Sequence, residues 1–241
     1  MALDAEKRRR VKEIFEKFLG NRAKKIRGLT IRDFDINPFL VRLLSHQLGL
    51  ENSRAIVKWI LGQRLERGSV TSFGKALEKA TQLFSDGTGV EGADVLKTKD
   101  GRHHHIQVKS GPNTVPKDLG VRIAQLLRSA QRRNRGSLAL YAMCYGTKRR
   151  VSGIVRKYVQ QEGGVDWLSG REFWQFISDD PDCVDEIYAI AGEVGRSFRD
   201  TEGGSLSQII AGKLRELTEE FEMMYGAGGA EMWNKLLEEN T

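Results

Sequence analysis

Apolar and polar positions along the chain alternate with two periods, and the switch between them locates the elements. Between residues 4 and 19, Val11, Ile14, Phe15, Phe18 and Leu19 recur at helical spacing, and Gly20 follows as a stop signal. Asn37-Pro38 reads as an N-cap with proline at the first helical position, opening a helix to about His46. Residues 52–67 carry Ile56, Trp59 and Ile60 on one face, and Thr71 or Ser72 is expected to cap a further helix through about Phe84. The period then changes. Residues 91–98 and 103–109 read as two short strands joined by Lys99-Asp100-Gly101, and Asp-Gly is a strong hairpin signal.

Helical spacing returns over 117–134, with Leu119, Ile123, Leu126 and Leu127 as the apolar face. Ser137–Tyr145 is a nearly continuous apolar run, the mark of a buried central strand. Helices are expected at 171–178, 182–198, 205–224 and 229–238. The pattern predicts one α/β domain over 1–241, with a mixed sheet of four or five strands flanked by helices. Its core spans about 71–146, with helical elaborations at 1–70 and 147–241.

Composition narrows the class of partner. Hydrophobic residues make up 39% and charged residues 29%, an ordinary soluble mixture, and no apolar run approaches the roughly 18 to 20 residues that span a bilayer. The first twenty residues are charged throughout and contain no apolar signal core, so export is not expected. The two cysteines, Cys144 and Cys183, match no metal spacing and fit a reducing cytoplasm. The net charge of +7 is unevenly spread. Residues 1–30 carry ten Lys or Arg against four acids and 117–135 six against one, whereas 201–241 carry eight acids against three bases. A polyanion would favour the first two stretches, although either is equally compatible with a solvated helix surface.

The candidate chemistry sits in residues 89–114, GVEGADVLKTKDGRHHHIQVKSGPNT. Gln107 and Lys109 are two apart on one strand and share a face, while Ile106 and Val108 point to the other. Asp94, on the partner strand, is brought back beside them by the turn. Oxygen ligands beside an ammonium suit phosphodiester hydrolysis with Mg²⁺, which takes hard oxygen donors and keeps several waters.

Asp94, then twelve residues, then Gln107-Val108-Lys109 resembles the D…(D/E)XK signature of the restriction-endonuclease superfamily. The likeness implies a restriction-endonuclease-like α/β core, with Asp94, Gln107 and Lys109 catalytic and Mg²⁺ held by Asp94 and Gln107. Position 107 departs from the signature, since Gln replaces Asp or Glu and removes a negative charge. Glu78, on the preceding helix where many relatives place an acid, is the candidate to restore it, and Glu91 is the alternative.

KSGPNTVPKD (109–118) and EFWQFISDDPDCVDEI (172–187) are similar to type II enzymes of the TdeIII/MjaII kind, which recognise sites such as GGNCC. That likeness implies sequence-specific cleavage of double-stranded DNA to 5′-phosphate ends, a homodimer if the site is palindromic, and a cognate DNA methyltransferase. Asn113, Arg122, Arg128, Arg132 and Arg133 are the candidate DNA contacts. Three alternatives stay open: a structure-specific repair or junction nuclease on the same core, a DNA-binding protein without catalysis, and an RNA-binding or structural protein whose motif is accidental.

His103-His104-His105 invites a metal reading, but neighbours on a strand face opposite sides, so only His103 and His105 can share an ion. A polar hairpin edge is the simpler reading. Trp167, Phe173 and Trp174 are either base-stacking platforms or core. No Ser-His-Asp grouping, Walker loop or dinucleotide fingerprint is readable.

Overall fold

A computed structural model describes residues 3–88, 90–112 and 115–241. In chain order the helices are α1 (Ala5–Arg27), α2 (Pro38–Leu48), α3 (Ser53–Thr81), α4 (Lys117–Arg133), α5 (Arg171–Ser178), α6 (Cys183–Ser197), α7 (Leu206–Tyr225) and α8 (Gly229–Glu238). The strands are β1 (Gly87–Thr88), β2 (Val95–Lys99), β3 (Arg102–Lys109), β4 (Leu138–Met143) and β5 (Asp166–Ser169). Contacts group the chain into two compact units, Met1–Phe15 with Phe73–Arg196 and Glu16–Ser72 with Ser197–Thr241. Among the described residues no helix is long and apolar enough to cross a membrane.

The first unit holds one mixed sheet in spatial order β1-β2-β3-β4-β5. β1, β2 and β3 run antiparallel; β3, β4 and β5 run parallel. Four strands of four to eight residues and a two-residue edge, flanked by helices, make the expected mixed α/β architecture. The β2–β3 hairpin closes between Lys99 and Arg102, and its two loop residues both take positive φ, 52° at Asp100 and 72° at Gly101. That is a two-residue turn whose twist matches the flanking strands. Register then fixes the faces. Ile106 and Val108 are wholly buried, while Gln107 and Lys109 pair with Tyr141 and Met143 on the opposite face. Against Tyr141 and Met143 pack Ile123, Ala124 and Leu127 of α4.

The second unit is helical. Val41, Ile56, Val57, Ile60, Leu217, Phe221, Met232 and Leu236 form its core. Asn37 caps α2 by accepting from the Leu40 N–H at 3.0 Å, with Pro38 at the first helical position, as the sequence predicts.

The structure differs from the sequence pattern in five places. α1 does not stop at Gly20 but continues to Arg27, because Ala23 and Ile26 extend its buried stripe. Thr71 and Ser72 cap nothing. Their hydroxyls donate to the Arg67 and Gly68 carbonyls one turn back, and 53–81 is a single helix. Leu119 lies exposed on α4, whose buried stripe is Gly120, Ile123, Ala124, Leu127 and Ala130. Residues 91–94 form a turn and bend, and the strand begins only at Val95. Between 146 and 170, where the pattern assigns no element, a seven-residue π-helix (Val155–Gln161) and β5 appear.

Candidate active site

Three segments deliver the proposed side chains to the C-terminal end of β3. The first is the bend that ends at Asp94. Gly92 has φ +92°, and a Cβ there would run into Leu126 of α4, so the turn closes against that helix only without a side chain. The Asp94 N–H donates to the Ile106 carbonyl at 2.8 Å, which carries the hairpin pairing one residue past β2. Asp94 therefore stands beside Gln107 from a bend and not, as expected, from a strand. Its Oδ2 accepts from the Gln107 side-chain amide and from the Val108 N–H, the latter at 2.8 Å.

The second segment is α3. A Cβ on Gly74 would sit 2.8 Å from the Ser110 hydroxyl, so α3 packs tightly on the end of β3 at that point. Glu78, one turn further along, accepts from the Ser110 N–H at 3.1 Å through Oε1. Burial pushes the Glu78 carboxyl above its ordinary value; the Lys109 ammonium pulls it down and the Asp94 carboxylate pushes it up again. Those opposing influences put Glu78, Lys109 and Asp94 in one electrostatic neighbourhood. The third segment is β3 itself, which supplies Gln107 and Lys109, both half-buried.

Among the described residues, one oxygen of each carboxylate is held by the protein and the other, Asp94 Oδ1 or Glu78 Oε2, has no protein hydrogen bond. Two carboxylates and an amide oxygen make a hard donor set of the kind Mg²⁺ takes. No group of three His, Cys, Asp or Glu side chains gathers among the described residues. Glu91 lies elsewhere, exposed and 4.0 Å from Arg133.

A family model for the type II restriction endonuclease EcoO109I matches residues 5–197, well over half of the chain. This chain belongs to that family. A comparison with curated proteins gives no match. Membership of the EcoO109I family makes it a type II restriction endonuclease, a site-specific deoxyribonuclease. The matched span takes in the whole sheet, the bend at Asp94, Glu78 and all of α4.

The remaining sequence candidates scatter. Arg122, Arg128, Arg132 and Arg133 are exposed on α4. Arg122 borders a groove of about 710 Å³ with Lys117, Val121, Gln125 and Leu126. Arg128 donates to Gln131 at 2.8 Å and Arg132 to Ser129 at 3.4 Å. Asn113 lies outside the described residues. Phe173 and Trp174 are core, with Trp174 Nε1 donating to the Cys144 carbonyl at 2.8 Å, and half-buried Trp167 donates to Gln160 at 3.1 Å. Both cysteines are free and buried.

Two residues of this neighbourhood escape the sequence pattern. Ser110 is marked only by following Lys109. Tyr141, the register partner of Gln107, is buried, and burial together with the nearby Glu78 charge pushes its hydroxyl up to about 12. An apolar run such as SLALYAMCY gives no sign that one of its members borders the candidate site.

Proposed function

We propose that this EcoO109I-family chain cleaves double-stranded DNA at a specific site in a Mg²⁺-dependent reaction, leaving 5′-phosphate and 3′-hydroxyl ends. The observation that carries the reading is the convergence of Asp94, Gln107, Glu78 and Lys109 at one strand end. Asp94 and Glu78 would hold the metal through their uncommitted oxygens, with the Gln107 amide oxygen beside them. When bound, Mg²⁺ supplies Lewis acidity toward the scissile phosphate and a more acidic water. Val108 N–H and Ser110 N–H fix the two carboxylates before any ligand arrives, so little reorganisation accompanies binding. Lys109, two residues after Gln107 on the same strand face, would orient the attacking water with its ammonium and offset charge on the phosphate as it builds up.

In this reading both units, 1–241, act as one endonuclease. It works in the cytoplasm as a homodimer on a palindromic site, beside a methyltransferase that protects the host sequence. The likeness to TdeIII/MjaII enzymes supports a site of the GGNCC type. Digestion of phage and plasmid DNA with Mg²⁺, followed by sequencing of the ends, tests it. Discrete fragments sharing one short motif are expected. Cleavage only of branched or flapped substrates would make it a junction nuclease. Tight binding without cleavage at saturating Mg²⁺ would make it a DNA-binding protein.

A further inference from the structure

Apart from Asn113, the candidate DNA contacts read from the sequence lie on α4, yet Arg128, Arg132 and Arg133 are engaged within the helix or with Glu91. A second basic segment is only partly engaged, with Lys157 lying 4.0 Å from Glu162. Residues 148–157 carry five Lys or Arg and no acid. Lys148, Arg149 and Arg150 form a short 3₁₀ turn in which all three are exposed. Arg156 holds that turn from behind, donating to the Lys148 carbonyl at 2.7 Å and the Arg149 carbonyl at 3.3 Å. Lys148 pairs with Glu172 at 2.6 Å. Among the described residues, neither the Arg149 nor the Arg150 side chain has an ion pair or hydrogen bond.

Topology puts this turn at the active end of the sheet. β3 and β4 are parallel, with Lys109 opposite Met143, so the chain leaves β4 beside the end of β3 that carries the site. The exits touch: a Cβ on Gly146 would sit 2.8 Å from Pro112, and one on Gly111 would strike the Tyr145 ring. Crevices at the carboxyl ends of parallel strands are the usual ligand positions in α/β sheets. The strip also joins α4. Lys117, in the first turn of α4, and Lys157 of the π-helix lie 5.1 and 5.3 Å from the Tyr158 ring. π-helical segments are rare and recur at functional sites.

We propose that the Lys148–Arg150 turn, continued through Lys157 and Lys117, is a second contact surface for the phosphate backbone of duplex DNA, with Arg149 and Arg150 as the side chains that bind phosphate. The proposal rests on the nuclease reading above. Phosphate contacts position the protein and carry no sequence information. The strip therefore strengthens binding to cognate and non-cognate duplexes alike and steadies the backbone next to Lys109.

The test is the salt dependence of duplex binding, measured by fluorescence anisotropy with the full chain in metal-free buffer. R149A/R150A should lower the log–log slope by about 1.8, at about 0.9 per lost phosphate contact, on cognate and random duplexes alike. R149K/R150K should keep the wild-type slope. So should R215A/K235A, which removes the same charge from the acid-rich C-terminal stretch. If the double variant proves unstable on melting, R149Q and R150Q separately carry the test at about 0.9 each. An unchanged slope in R149A/R150A, or an equal loss in R215A/K235A, overturns the proposal and leaves the nuclease reading standing. A wild-type chain that binds no duplex at all overturns the nuclease reading itself.

Discussion

The two halves of β3 place polar side chains on the same sheet face and meet opposite surroundings. His103, His105, Gln107 and Lys109 alternate along that face. Toward the hairpin, His103 meets Thr98 Oγ1 at 3.0 Å, and His105 is 97% buried with no hydrogen-bonding group of the described protein at either ring nitrogen. Toward the other end, Gln107 meets Asp94, and the backbone just past Lys109 meets Glu78. The histidines are the better-known metal ligands, yet among the described residues no carboxylate bonds to them. The difference lies in what other segments deliver. The bend at Gly92 and the close approach of α3 at Gly74 bring acids to one end only. A strand provides spacing, and its neighbours decide which of its residues become a site.

The sharpest way to break this contrast is Lys109→Ala. Cleavage should fall by about 10²–10⁴-fold, the usual range for a positioned proton-transfer group, with duplex binding nearly intact. The same truncation at His103 should leave cleavage near wild type. Loss of cleavage at His103 with retention at Lys109 would reverse the assignment of the two halves.

Gln107 comes next. Gln107→Leu removes the amide oxygen and the donor to Asp94 Oδ2, and should be close to inactive. Gln107→Glu restores a carboxylate and should keep activity while lowering the Mg²⁺ needed for half-maximal cleavage, since carboxylates are the stronger hard ligands. Metal titrations of cleavage rate decide it. A fully active Gln107→Leu variant would show that cleavage needs neither the amide oxygen nor the bond to Asp94.

Much of this strand was readable from residues alone, and the reason is local. Asp100-Gly101 dictates the turn, the turn dictates register, and register puts Gln107 and Lys109 on one face. The type II restriction-endonuclease class was visible in the D…QXK likeness, whereas the EcoO109I family itself was not. What stayed hidden depends on contacts between distant segments. The Asp100-Gly101 hairpin signal extends the strand reading back over Asp94, but the close approach of Leu126 to Gly92 goes with a bend there. Thr71 and Ser72 look like caps, yet their hydroxyls are satisfied one turn back and α3 runs on. The Arg149–Arg150 turn has no periodicity of its own, and its importance comes from where β4 ends.

Glu78 gives a smaller effect. It is one of the two acids proposed to hold Mg²⁺, which commonly uses one or two. Glu78→Gln should raise the Mg²⁺ requirement by about tenfold, with partial rescue by Mn²⁺, which binds the same ligands more tightly. Glu91→Gln should do nothing, because Glu91 faces Arg133. A wild-type titration curve for Glu78→Gln would leave Asp94 as the only acidic ligand.

The mildest test concerns the half of the strand without acids. Burial holds the His105 imidazole below the ordinary histidine value, and His103, Arg133 and His104 push the same way. Its strand partners, Leu96 and Ala139, carry no charge that could offset this. A base whose folded pKa is depressed leaves stability intact above its unfolded value, about 6.5, and removes stability as pH falls below it. His105→Leu should therefore flatten the acid side of the stability curve. At neutral pH it should also stabilise, by about 1 kcal/mol, because unpartnered buried polar atoms are replaced by apolar ones. For a chain of this size that is a rise of about 2–4 °C in Tm. Calorimetric melts of both proteins near pH 7.5 and pH 5.5 measure the two effects together. The other histidines are common to both, so the difference isolates position 105. Cleavage should not change, since Gln107, Asp94 and Glu78 keep their bonds. A Tm several degrees lower at neutral pH would show that the imidazole is bound to something it needs, and a parallel loss of cleavage would tie the two halves of β3 into one site.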